Sequence, residues 1–284
     1  MKKWLLWSGR LLIAGAAMYF AIRHIQPRDL QLLVRNANWW WLLPAFILYN
    51  LSQLLSSWRL LRQYRLFMPD MDFGFNLILY YKGMFYNLFL PGGIGGDIYK
   101  VFALKKTGVG YRQLATATIL DRVNGFWLLM ALIIVGSHLF PIPQHLATLR
   151  WILSASWLLG WPLYWYLLAR FFRPFQRMAP SAMLISFGVQ LLQMACFTCI
   201  LYFLQVMQGT FVHYSFLFFS SSVISAVPIS IGGLGTRELV FSSGATWFNL
   251  SATSLVSVSL VFFLVTAISA LAGWIVAGRT EINK

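Results

Sequence analysis

Apolar positions run along this chain in stretches of about 20 residues, the length an α-helix needs to cross a hydrocarbon core of ~30 Å. Six such stretches, at roughly 4–25, 38–58, 114–136, 150–169, 182–206 and 252–277, predict spanning helices. Most are bordered by Trp, Tyr or basic residues, as expected where a helix meets lipid headgroups. Trp39, Trp40 and Trp41 read as an interfacial belt, and Trp151, Trp157, Trp161 and Trp165 as a lipid-facing aromatic surface on the fourth span.

Two further apolar regions, about 73–99 and 211–238, are long enough to enter the membrane but are interrupted near their middles. The interruptions are Pro91, Gly92, Gly93, Gly95 and Gly96 in the first, and Pro228, Gly232, Gly233 and Gly235 in the second. Both contain P-x-x-I-G-G, at an offset of 137 positions, and read as re-entrant or discontinuous helices. Gln53 and Gln190, each followed by two leucines, repeat at the same offset. Leucine-rich chains produce such matches by chance, and Gln31 begins a third, unrelated copy. The stronger signal is the order span, broken segment, span, which occurs twice, over 38–136 and 182–277.

The pattern predicts an all-α polytopic membrane protein, a single membrane domain over 1–284, with about six spans and two re-entrant segments. With a cytoplasmic N-terminus, fifteen basic residues fall inside, among them Arg59, Lys100, Lys105, Lys106 and Arg112, against Arg23, Arg28, Arg35 and Arg150 outside. That bias orients both termini to the cytoplasm and suits an inner membrane. It also makes the two units inverted. Paired, Gly- and Pro-broken segments in inverted halves point to a binding cavity between them. Kinks between packed helices are the alternative.

Composition excludes a soluble enzyme, with 59% hydrophobic and only 10% charged residues and a mean hydropathy of +0.69. The net charge of +15 is spread over short loops rather than gathered in one patch, which argues against nucleic acid as a partner. Arg10 interrupts the first apolar run, so an uncleaved helix is expected rather than a signal peptide. Cys196 and Cys199 have redox spacing but lie inside an apolar span, and read as buried thiols.

Few charges remain near the broken segments: Lys82, Asp97, Lys100, Asp121, Arg122, Arg237 and Glu238. A charge at the bilayer centre costs about 2.5–3.5 kcal/mol on insertion scales, so these residues need partners or water. Balanced signs allow a buried ion-pair network, and a place at the cytoplasmic interface is the alternative for Asp121 and Arg122. Alternatively, Arg122, Arg237 and Lys82, with backbone N–H groups freed at the glycines, would favour an anionic headgroup, since the planar fork of arginine matches phosphate. Asp97 and Glu238 would then hold the cations or carry a proton. Gln53, Gln190, Gln193 and Ser186 could hydrogen-bond a sugar or glycerol headgroup, or serve as interhelical glue. No metal-ligand motif, phosphate-binding loop or nucleophile-base spacing is present, so no cofactor and no enzymatic activity are expected.

The sequences Asn87–Leu–Phe–Leu–Pro91 through Asp97, the Asp121–Arg122 pair, and Pro228 through Arg237–Glu238 resemble the lysylphosphatidylglycerol synthase transmembrane family, also called the flippase-like domain family. The resemblance covers nearly the whole chain. It implies a membrane domain that moves a lipid between leaflets, either an aminoacylated phospholipid or a polyprenyl-phosphate-linked sugar, the latter in association with glycosyltransferases or other envelope-lipid enzymes. The chain reaches Lys284 with no soluble aminoacyl-transfer domain, so lipid aminoacylation is not expected of it. The expectation is a lipid translocase for an anionic phospholipid or polyprenyl-phosphate sugar. The alternatives are a proton-coupled transporter of a small soluble anion and an intramembrane lipid-modifying enzyme.

Overall fold

The computed structural model describes residues 35–89, 94–139, 147–207, 211–226 and 235–277. The first expected span, both chain termini, and Pro91, Gly92, Gly93, Pro228, Gly232 and Gly233 lie outside the described residues. Every regular element described is helical, as hydrocarbon demands of backbone that must satisfy its own hydrogen bonds.

A 3-10 turn at Trp39–Trp41 leads into α1 (Leu42–Tyr64). There follow α2 (Phe73–Phe89), α3 (Gly95–Lys105), α4 (Tyr111–Leu139), α5 (Ala147–Phe171), a short α6 (Arg173–Gln176) and α7 (Ala179–Leu204). After these come α8 (Phe211–Ala226), α9 (Thr236–Phe248) and α10 (Ala252–Ala277). Helices α4, α5, α7 and α10 are long and apolar enough to cross a membrane. The expected span at 38–58 is shifted: its helix starts at Leu42 and runs on to Tyr64 through buried Ser52, Gln53, Ser56, Ser57, Arg59 and Gln63. It combines this buried polar face with an exposed apolar one carrying Leu43, Ile47, Leu51 and Trp58. Each broken region is a pair of helices, and the second member extends well past the expected boundary, to Lys105 and to Phe248.

Contacts recur under exchange of α1 with α7, α2 with α8, α3 with α9 and α4 with α10. Thus α2 packs on α10 and α8 on α4, α3 on α4 and α9 on α10, α4 on α7 and α10 on α1, while α1 and α7 pack on each other. Two glycines make the first of these matches concrete. A Cβ at Gly273 would overlap the backbone of Tyr81 in α2, and one at Gly136 would lie 3.7 Å from Phe216 in α8. Gly136 and Gly273 are 137 positions apart. In lipid, association comes from close packing rather than exclusion of water, so small residues at crossings set which helices approach. Gly96 does the same within the first pair, because a Cβ there would overlap the carbonyl of Gly83.

Two apolar cores flank the centre. One gathers Phe197, Phe218, Phe241 and Phe262 around α7, with Phe197 stacked on Phe241 at 5.6 Å. The other gathers Leu60, Leu61, Tyr64, Leu104, Leu114 and Leu168. The tryptophans of α5 divide. Trp151 is exposed, but Trp157 stacks on Trp127 of α4 at 6.0 Å and Trp161 lies 6.4 Å from it, so part of the expected lipid-facing stripe is a helix-helix seam. Gly160 leaves room for the Trp127 ring. Trp39 and Trp40 are exposed beside the α7 terminus, with Trp39 set edge-on to Phe203 at 5.3 Å.

Candidate functional site

Helix α3 opens immediately after the first glycine cluster. The side-chain oxygen of Asn87, at the end of α2, accepts a hydrogen bond from Gly96 N–H at 2.7 Å, satisfying a backbone donor that the helix start leaves without an intrahelical partner. This places Asp97 in the first turn. Its carboxylate receives the Lys100 ammonium at 2.7 Å, one turn on, and also the guanidinium of Arg122 from α4. Lys100 lies 5.0 Å from the Tyr80 ring.

Asp97 and Arg122 form the floor of a groove of about 560 Å³ between α3 and α4. On α3 the lining residues Ile94, Asp97, Ile98, Val101 and Phe102 recur every three or four positions, as do Tyr111, Ala115, Thr118, Ile119, Arg122 and Val123 on α4. That spacing puts each set on one helical face. The walls open outward, since Ile98, Phe102 and Ile119 are 52%, 58% and 60% exposed. Arg122 is the reachable charge: its side chain is 41% exposed, against 11% for Asp97 and 7% for Lys100. Two other surface grooves, one beside Leu51, Trp58 and Leu192 and one between α1, α7 and α10, carry no charged lining residue.

Beneath the floor is a second ion pair. Arg59 grips Asp121 with two bonds, Nε to Oδ1 at 2.7 Å and Nη2 to Oδ2 at 2.9 Å, and donates from Nη1 to Ser186 of α7 at 2.5 Å. Gln63 adds a longer bond to Asp121 at 3.4 Å. A Cβ on Gly125 would sit 3.3 Å from the guanidinium, so the glycine gives Arg59 its space. Asp121 is therefore tied to Arg59 and not to the other cations with which the sequence grouped it. The pair joins α1, α4 and α7. Next to it, Tyr64 and Thr118 share a hydrogen bond of 2.7 Å, and Tyr164 donates to Asn124.

The second half repeats the plan with different chemistry. Glu238 lies in the first turn of α9, accepts from Gly235 N–H at 2.6 Å, and accepts from Ser259 of α10 at 2.8 Å. Ser259 stands 137 positions after Arg122, and Arg237 the same distance after Lys100. Arg237 points elsewhere: its guanidinium lies 4.7 Å from the Phe262 ring, and its Nε has no hydrogen-bond acceptor among the described residues. Among the described residues, no carboxylate is within ion-pair distance of it. Among the described residues, Arg122 lines the α3–α4 groove and Arg237 does not. Of the described residues of the second half, Ala226 at the end of α8 lines the α3–α4 groove.

The remaining candidates lie outside the groove. Gln53 and Gln190 are buried on α1 and α7, where Gln53 donates to Ser52 at 3.0 Å. Lys82 is buried on α2. Arg59, Gln63 and Thr118 were missed as site residues. Arg59 reads from sequence as one more basic loop residue, with nothing to set it apart from Arg62 three positions on.

The family model for the lysylphosphatidylglycerol synthase transmembrane region matches residues 7–273. The chain belongs to this family. The lysylphosphatidylglycerol synthase transmembrane region is a membrane domain associated with lipid handling, so this is a multi-pass membrane protein of that kind. The match spans the groove and both ion pairs along with every described helix up to Gly273. Among curated proteins, none matches the chain.

Proposed function

We propose that the protein is a lipid translocase, without enzymatic activity of its own, that carries an anionic headgroup between leaflets through the α3–α4 groove. The observation that carries this reading is a laterally open, apolar slot whose charged lining residues, among those described, are Asp97 and Arg122. Apolar walls suit hydrocarbon, and a half-exposed guanidinium suits phosphate. Arg122 lies 11 residues into a helix of 29, about 16 Å from its first turn at 1.5 Å per residue, which is near the middle of a ~30 Å core. A charge at that depth needs a partner, and Asp97 provides one when no lipid is bound. A headgroup phosphate arriving beside Arg122 competes with Asp97 for the same donors, so the empty site is never an unpaired cation.

In this reading the two units are an inverted repeat in an inner membrane, both termini are cytoplasmic, and the halves alternate in exposing the site. The substrate is an anionic phospholipid or a polyprenyl-phosphate sugar, supplied or consumed by glycosyltransferases or other envelope-lipid enzymes.

The test is leaflet exchange in proteoliposomes, using headgroup-labelled phosphatidylglycerol, a short polyprenyl-phosphate sugar and phosphatidylcholine. The expected result is protein-dependent exchange of an anionic probe at several times the phosphatidylcholine rate. Folded protein that exchanges none of the three but takes up a soluble anion would overturn it.

A further inference from the structure

We infer that the exposed basic turn between α3 and α4 is a capture site for the phosphate headgroup of an anionic phospholipid in the adjoining leaflet, placed to feed the groove. This rests on the groove being the lipid path. The groove assignment uses Asp97 and Arg122 and leaves unexplained the three cations at its opposite end, Lys105, Lys106 and Arg112, all of which are exposed.

Geometry ties that turn to the groove. The Lys105 ammonium lies 4.0 Å from the centre of the Tyr111 ring, and Tyr111 is set edge-on to Phe102 at 5.4 Å. Both rings line the groove, so Lys105 sits on its rim rather than on an unrelated loop. The turn is also held in place. Gly108 adopts φ +89°, a left-handed conformation suited to glycine, and its N–H donates to Lys105 C=O at 3.1 Å. The Thr107 hydroxyl lies 2.7 Å from Leu104 C=O and 3.4 Å from the Met68 sulfur, docking the turn on the α1–α2 loop.

The acids on that neighbouring loop are Asp70 and Asp72, and Asp72 is engaged in its own turn, accepting from Phe75 N–H at 2.9 Å. The rim itself carries only cations. One face of α4 therefore has a cationic aromatic rim at Tyr111, an apolar slot, and Arg122 about 16 Å further on. A lipid can enter tail first between Ile98 and Ile119 while its phosphate is held at the rim, then pass the phosphate inward to Arg122. Basic side chains at a membrane surface attract anionic lipid over about a Debye length, so the capture step is sensitive to salt.

The experiment uses the full chain in phosphatidylcholine vesicles containing an increasing mole fraction of headgroup-labelled phosphatidylglycerol. The combined variant Lys105→Gln, Lys106→Gln, Arg112→Gln is expected to raise the half-saturating mole fraction roughly tenfold, and high salt to raise that of the wild type toward the variant's. Photoactivatable phosphatidylglycerol is expected to crosslink to residues 102–112 of the wild type and much less to the variant. Exchange with an unchanged half-saturating fraction overturns the capture site while leaving the lipid path standing. Crosslinking at the turn in a protein that exchanges no lipid supports the surface and removes the translocation reading instead.

Discussion

Arg59→Met is expected to lower the stability of the folded protein by about 3–5 kcal/mol, the cost of leaving one member of a buried ion pair without its partner. The side chains of Arg59 and Asp121 are only 10% and 8% exposed, and the guanidinium makes its bonds to two helices at once. Removing it leaves the buried Asp121 carboxylate, among the described residues, with the 3.4 Å contact from Gln63. The measurement is unfolding in detergent micelles by heat or by titrated denaturing detergent. A double substitution, Arg59→Met with Asp121→Leu, is expected to recover most of the loss, because an apolar pair of similar volume needs no desolvation. A single variant as stable as the wild type would contradict the pairing.

Arg122→Ala separates function from folding. This residue is 41% exposed, and Asp97 keeps the Lys100 ammonium at 2.7 Å when the guanidinium is removed, so the fold survives its removal. A hydrogen bond to a charged partner is worth about 1.5–3 kcal/mol, which converts to a roughly tenfold to hundredfold fall in leaflet exchange of an anionic lipid. Arg122→Lys is expected to keep part of the rate, since the charge remains but the two-pronged fit to phosphate does not. The check is the exchange rate of labelled phosphatidylglycerol at equal amounts of folded protein. Wild-type rates in the alanine variant would remove Arg122 from the path.

The contrast between the two arginines marks what could be read from sequence. Asp97 and Arg122 stand next to conspicuous features, a glycine cluster and an acid-base doublet, and local pattern was enough to select them. Arg59 could not be found that way. Its partner is 62 positions distant, and nothing in a basic residue near the end of an apolar run distinguishes a helix-end anchor from a buried clamp. The α5 tryptophans failed for a related reason: spacing tells which residues share a face, but not whether that face meets lipid or the Trp127 ring. The 137-position offset was visible in the P-x-x-I-G-G motifs, whereas the Gly136 and Gly273 crossings needed coordinates, because isolated glycines in apolar helices carry no partner information. Arg237 looked equivalent to Arg122 by sign and setting, and only the direction of its side chain toward Phe262 separates them.

The account stands or falls on whether lipid passes between α3 and α4. Ala115 lines that groove, and the two native cysteines are 0% and 7% exposed, so Ala115→Cys would present the accessible thiol. Exchange of headgroup-labelled phosphatidylglycerol should be measured before modification of this thiol with a bulky methanethiosulfonate, after it, and again after reduction, with occupancy followed by mass. Blockage on modification and recovery on reduction is the predicted result. Wild-type exchange by fully modified protein would contradict it and place the path elsewhere in the molecule.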